Sequence, residues 1–236
     1  MFPVLRYQAM NYFRSYLFVP PFVIYTVLLF VNYSYRPNPI MDSYALTSIL
    51  GYLLAAWFTI SVFHVEAKVQ ETIAIVHLKS MNSFYNWKFA FVSLIGVLLS
   101  VISTSFPIAF GMFDERITFP EISIGFLSHF LLFVLSMSFT SLMTRRLVKN
   151  SANTWLGTCF MLAITLAAPG IMDILPKQLQ PMMNFLPPVY PLLKWLESAP
   201  NPLFTLHAAL LFLWIIGYSL VLMILFMFWI HLKRTS

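Results

Sequence analysis

Long stretches without a single charge restrict this chain more than any motif does. A helix needs about 20 apolar residues to cross roughly 30 Å of hydrocarbon. Six stretches approach or exceed that length: Leu17–Tyr33, Tyr44–His64, Phe89–Phe113, Ile122–Met143, Ala152–Leu175 and Leu203–Ile230. They are continuous and show no two-residue alternation, so they read as helices and not as barrel strands. Pro20 and Pro21 sit near the start of the first, and Pro107 and Pro169 predict kinks or ends in the third and fifth.

Composition closes off the main alternatives. Of 236 residues, 60% are hydrophobic and 9% are charged, with a mean hydropathy of +0.81. A soluble domain carries about 25% charged residues. Too few charges remain here to coat a water-facing surface, which excludes a soluble enzyme, a disordered segment and a nucleic-acid-binding domain. The net charge of +6 is spread over short loops. A single cysteine, Cys159, excludes an internal disulfide and any multi-cysteine metal site.

Loop charge sets the expected orientation. With the N-terminus inside, the inner segments hold ten basic residues: Arg6, Arg14, Lys68, Lys79, Lys88, Arg145, Arg146, Lys149, Lys233 and Arg234. The outer segments hold four, Arg36, Arg116, Lys177 and Lys194. The positive-inside rule therefore places both termini in the cytoplasm. No small-residue cleavage site follows the first apolar run, so no cleavable signal peptide is expected.

The spans lack an engine. They hold no Lys, Arg or Glu, and their one acid is Asp173, near the outer end of the fifth. Ion-coupled carriers use intramembrane acids or unwound polar sites. Nor is there a G-x-x-x-x-G-K-[ST] phosphate cradle. His64, His129 and His207 each stand alone on their spans, which points to packing rather than metal binding. Ser100, Ser103, Thr104, Ser105, Ser136, Ser138, Thr140 and Ser141 read first as glue between helices. A polar stripe along a cargo path is the sharper alternative.

Three further elements accompany the spans. Residues 1–16 place Phe2, Leu5, Ala9, Tyr12, Phe13 and Tyr16 at helical spacing with Arg6, Asn11 and Arg14 toward another side, which suits a helix in the membrane interface. Residues 65–88 form a long inner loop in which Val69, Ile73 and Val76 recur at helical spacing. Glu66, Lys68, Gln70, Glu71 and Lys79 supply a polar surface there, and Trp87 and Lys88 mark re-entry into the membrane. This loop is either a connector resting on the bilayer or a helix that docks in a partner's groove. Residues 176–202 hold seven of the fifteen prolines around an apolar middle containing Met182, Met183, Phe185, Leu186, Leu192, Leu193, Trp195 and Leu196. Such a segment is too short and broken to span; it reads as short helices dipping into the outer leaflet and turning back, with an external loop bearing aromatic anchors as the plainer alternative.

The expected fold is thus an all-α integral membrane protein, one transmembrane domain over 1–236. It has six transmembrane helices, an N-terminal interfacial helix, an inner amphipathic element between the second and third, and external re-entrant helices between the fifth and sixth.

This order of elements resembles the ABC-2 type permeases, the membrane subunits of one class of ATP-binding-cassette exporters. The inner loop is the best local match. Family members place an acid, then Gly-Thr and apolar residues, a Ser-Pro-like turn, and Gly-Lys at the third span. Here Glu66, Glu71-Thr72-Ile73-Ala74-Ile75, Leu78-Lys79-Ser80-Met81 and Trp87-Lys88 follow that order. Glu71, Met81 and Trp87 stand where the family has glycine, proline and glycine. The resemblance implies that the chain is not itself an enzyme and holds no cofactor, ATP and Mg being bound by two separate ATPase subunits. Glu66, Glu71, Thr72, Ile73, Val76, Lys79 and Ser80 would form the coupling helix that docks on the ATPase. Arg6, Arg14, Trp87 and Lys88 would sit at the membrane interface, and Phe185, Pro187, Pro188, Tyr190 and Trp195 in the external re-entrant helices. It further implies a second permease, identical or homologous, a bacterial plasma-membrane location, and an exported amphipathic or apolar substrate. An ion-coupled carrier or channel is the alternative, and an intramembrane enzyme built on His64, Glu66 and Asp173 is a third.

Overall fold

The computed structural model describes residues 2–144, 147–148, 150–198 and 205–235. Arg145, Arg146, Lys149, Pro200 and Pro202, and the side chains of Phe2, Pro181 and Arg234, lie outside the described residues. The helices are α1 (Phe2–Arg14), α2 (Val19–Asn32), α3 (Ile40–His64), α4 (Lys68–Leu78), α5 (Met81–Ala109), α6 (Phe119–Leu142), α7 (Ser151–Ile174), α8 (Val189–Ser198) and α9 (Leu206–Thr235), with a short 3-10 helix at Gln180–Phe185. No strand occurs among the described residues, only one isolated bridge between Asn38 and Phe113.

Among the described residues, five helices are long and apolar enough to cross a membrane, α3, α5, α6, α7 and α9, with the bent pair α1–α2 a sixth if it counts as one span. By length and composition they suit a multi-pass membrane protein. The first expected span departs from this. Pro20 and Pro21 start α2 at Val19, and only 14 residues follow. At 1.5 Å per residue α2 reaches roughly 21 Å, short of the hydrocarbon thickness. It is joined to α1 at a bend of 78°.

Capping groups, invisible to hydropathy, move the other boundaries. Ser80 accepts a hydrogen bond from the Ser83 amide at 3.2 Å and starts α5 at Met81, eight residues before the apolar run. This carries Trp87 and Lys88 inside a helix, where a connector is expected. The Glu121 carboxylate accepts from the Thr118 amide and hydroxyl at 2.6 and 2.7 Å and starts α6 at Phe119. Asp42 likewise falls in the first turn of α3. Pro107 lies in the last turn of α5, which ends two residues later at Ala109, with Gly111 left-handed (φ +57°) beyond it.

The middle of the fold is the α3–α6 pair, with 72% and 67% of their most apolar stretches buried. The same measure is 44% for α5, 28% for α9 and 22% for α7, which leaves the last two largely uncovered by protein. Two glycines set the close packing. A Cβ on Gly125 would lie 2.5 Å from the Tyr44 ring of α3, and one on Gly96 would lie 2.5 Å from the Phe133 ring. Small residues at such crossings let helices approach where no hydrophobic force drives them together.

Hydroxyls satisfy themselves locally. Ser100, Ser103, Thr104, Ser105, Ser138 and Ser141 each donate to a carbonyl one turn earlier on their own helix. His129 is buried, its Nδ1 bonded to the Gly125 carbonyl at 2.7 Å and its Nε2 to the Thr47 hydroxyl at 2.8 Å. That is a packing histidine tying α6 to α3. The buried hydroxyls of Ser128, Ser136 and Thr140 on α6, Thr158 on α7 and Ser219 on α9 have no hydrogen-bond partner.

Candidate functional site

The amphipathic helix α4 and the two helix ends it rests on bring together a buried ion pair and a buried carboxylate. Its inward face, with Ala74, Ile75 and Leu78, packs on the cluster of Phe63, Met81, Phe84 and Tyr85. Its start is tied by the Gln70 side chain, which accepts from the Ala67 amide at 3.1 Å. Its end is a left-handed Lys79 (φ 53°).

Three of the expected docking or interface residues lie elsewhere than on a surface. Glu66 and Lys88 are each 1% exposed and form an ion pair at 2.8 Å. The Lys88 ammonium also donates to the Phe63 carbonyl at 3.3 Å and lies 4.9 Å from the Phe84 ring centroid and 5.6 Å from that of Phe63. Lys88 is therefore no surface anchor: its charge is held inside by Glu66 and two aromatic faces, because the early start of α5 turns it toward the end of α3. Glu71 is also buried and accepts a hydrogen bond from Tyr85 of α5. Burial, then the Glu66 charge and a hydrogen bond to it, raise the Tyr7 phenol above its ordinary pKa. The acids of this loop thus fasten α4 from beneath.

The face turned outward carries an apolar stripe between the exposed polar residues Lys68, Gln70 and His77. Val69, Ile73 and Val76 are 69%, 52% and 68% exposed, at i, i+4 and i+7 on α4. Thr72, Lys79 and Ser80 are exposed beside them, the Thr72 hydroxyl bonding back to the Lys68 carbonyl and Ser80 capping α5. A cavity of about 370 Å³ separates α4 from α1, walled by Val4, Tyr7, Ile73, Leu78 and Phe84. From the other side α1 is fixed by buried contacts: Gln8 donates to the Phe84 carbonyl at 3.4 Å, and the Tyr12 and Ser61 hydroxyls lie 2.8 Å apart. Arg6 and Arg14 are exposed on α1, but Phe13 and Tyr16, expected on its apolar face, are exposed too. Trp87 is half-buried.

The opposite end holds the proline-rich hairpin. Gln180 donates to the Met172 carbonyl of α7 at 3.3 Å, and the Tyr218 hydroxyl donates to the Phe185 carbonyl at 2.7 Å. Tyr218 lies roughly 18 Å along α9 from its first residue, so the 3-10 turn descends well below the helix ends. Pro187 and Pro188 are buried at the bottom. The chain then returns as α8, burying Val189, Leu192, Leu193 and Leu196. Tyr190 and Trp195 are half-buried, the Trp195 ring edge-on to Phe212 at 6.1 Å, while Phe185 is exposed. Asp42, Asp114, Glu115, Glu121 and Glu197 surround a cavity of about 250 Å³ at this end. No cluster of three or more metal-ligating side chains with the geometry to hold a metal occurs among the described residues.

The pairing of Glu66 with Lys88 and of Glu71 with Tyr85 has no signature in the sequence, since the partners are separated by a helix boundary that hydropathy misplaces. Tyr218 had none either, standing among the apolar residues of a span. Compared with family models, curated proteins and solved structures, the chain matches none.

Proposed function

We propose that this chain is the permease subunit of an ATP-driven exporter of the ABC-2 type. In this reading α1 is the interfacial helix and α2 the first of six crossings. α4 is the coupling helix, and the hairpin of residues 180–198 is the external re-entrant segment. Two ATPase subunits bind ATP and Mg on the cytoplasmic side. A second permease, identical or homologous, completes the path for an amphipathic or apolar substrate. Both termini lie in the cytoplasm and the membrane is the bacterial plasma membrane.

The observation that carries the reading is the exposed apolar stripe of α4. A short helix at the end of the bundle buries Glu71, its one acid, and presents Val69, Ile73 and Val76 outward. Contiguous exposed apolar surface marks an interaction site, and three anchors at helical spacing fit a groove. The ion pair beneath ties α3 to α5, and Glu71–Tyr85 ties α4 to α5. A push on α4 is thereby passed to two spans.

Ile73 is the clean probe, since it is exposed where Glu71 is structural. In cells of the source organism, Ile73→Glu should insert at wild-type yield and lose co-purification of a nucleotide-binding-cassette ATPase that the wild-type chain retains. Retention of the same ATPase by Ile73→Glu would refute the docking role. Uphill transport by the isolated chain in liposomes would refute the class.

A further inference from the structure

A second cavity, of about 420 Å³, lies between the proline-rich hairpin, α7 and α9. It falls within the about 300–1,000 Å³ of small-molecule sites. Its walls are apolar and aromatic, with Ala168 and Met172 from α7, Leu211 and Trp214 from α9, and Trp195 from α8. The contact of Trp195 with Phe212 fixes one wall in place. Lys194 and His207 also line it, and no acid lines it among the described residues. This contrasts with the five carboxylates around the neighbouring cavity at the same end. The Lys194 ammonium stands 5.8 Å from the Tyr190 ring centroid, one helical turn back on α8. The two long helices that wall the cavity are those whose apolar surface is least covered by protein.

We propose that this cavity binds an anionic phospholipid drawn from the surrounding bilayer, with an acyl chain against Met172, Leu211 and Trp214 and the phosphate at Lys194. The inference rests on the chain spanning a membrane and is independent of the transporter reading. An apolar chamber between lipid-facing helices selects an acyl chain, and a cation at its border, with no competing acid, selects a negative headgroup. The phosphate gives Lys194 a partner beyond the Tyr190 ring, and a lysine's long apolar stem lets its ammonium reach a headgroup from the cavity wall.

The test is native mass spectrometry of the full chain in detergent, titrated with phosphatidylglycerol or with phosphatidylcholine. Wild type should hold one phosphatidylglycerol in preference to phosphatidylcholine. Lys194→Glu should weaken that step by about tenfold or more, as expected for loss of a charge-assisted bond and its replacement by repulsion. Lys194→Arg should restore it. Lys194 is exposed, so these variants leave the fold intact. Equal binding by wild type and Lys194→Glu would overturn the proposal, as would equal binding of the two lipids. Displacement of the lipid by inorganic phosphate at matched concentration, or equally tight binding of the deacylated headgroup, would show a phosphate site without a chain, and would overturn it too.

Discussion

The buried pair Glu66–Lys88 permits a prediction worked from its geometry. At 2.8 Å and an effective dielectric of about 20, the attraction is roughly 6 kcal/mol. Removing two ions from water costs several kcal/mol each, so the net contribution of the intact pair is small. Removing one partner is different, because the other charge stays buried at 1% exposure. Lys88→Met and Glu66→Leu should each destabilise by about 3–5 kcal/mol. For a chain of this size that lowers the thermal midpoint by about 6–20 °C. The double variant should lose no more than the worse single variant, since neither charge remains. Thermal unfolding of the four proteins in one detergent, followed by intrinsic fluorescence, closes the cycle. Additive losses, or single variants within about 1 kcal/mol of wild type, would refute the picture of two mutually dependent ions.

Two other outcomes follow from the packing. Gly125→Ala places a Cβ 2.5 Å from the Tyr44 ring and should cost about 1–3 kcal/mol, whereas Gly217→Ala, with nothing within 4 Å, should be neutral or slightly stabilising in the same melt. Tyr218→Phe removes the bond to the Phe185 carbonyl at a cost of about 0.5–1.5 kcal/mol; hydrogen exchange should rise in residues 180–186 and stay unchanged in α4.

Sequence and structure part company at particular residues. The helical character of the long runs was readable, because stretches such as Tyr44–His64 and Ile122–Met143 have one solution in hydrocarbon, but the first expected span was not, since Pro20 and Pro21 cut α2 to 14 residues. The starts of the long runs were not either, because Ser80 and the Thr118–Glu121 pair act through hydrogen bonds that hydropathy does not weigh. The spacing of Val69, Ile73 and Val76 located α4 but left its direction open. Ordinary amphipathic logic turns the apolar stripe inward. Here Ala74, Ile75 and Leu78 do face inward, but Glu71 goes in beside them, held by Tyr85 from the early start of α5, and Val69, Ile73 and Val76 are left outside. In the same way Lys88 beside Trp87 looked like an interfacial anchor, and only the fold supplies the carboxylate that draws it inside.

The brevity of α2 has a consequence for the lipids around it. With 14 residues it falls roughly 9 Å short of a full hydrocarbon layer. Matching that deficit compresses the neighbouring acyl chains or tilts adjacent helices, at a fraction of a kcal/mol per Å. With α2 as the first crossing proposed above, the flank of the molecule bearing it would hold a standing dimple in the bilayer, a place for short-tailed lipids where membrane thickness, rather than any side chain, sets the energy of the protein's edge.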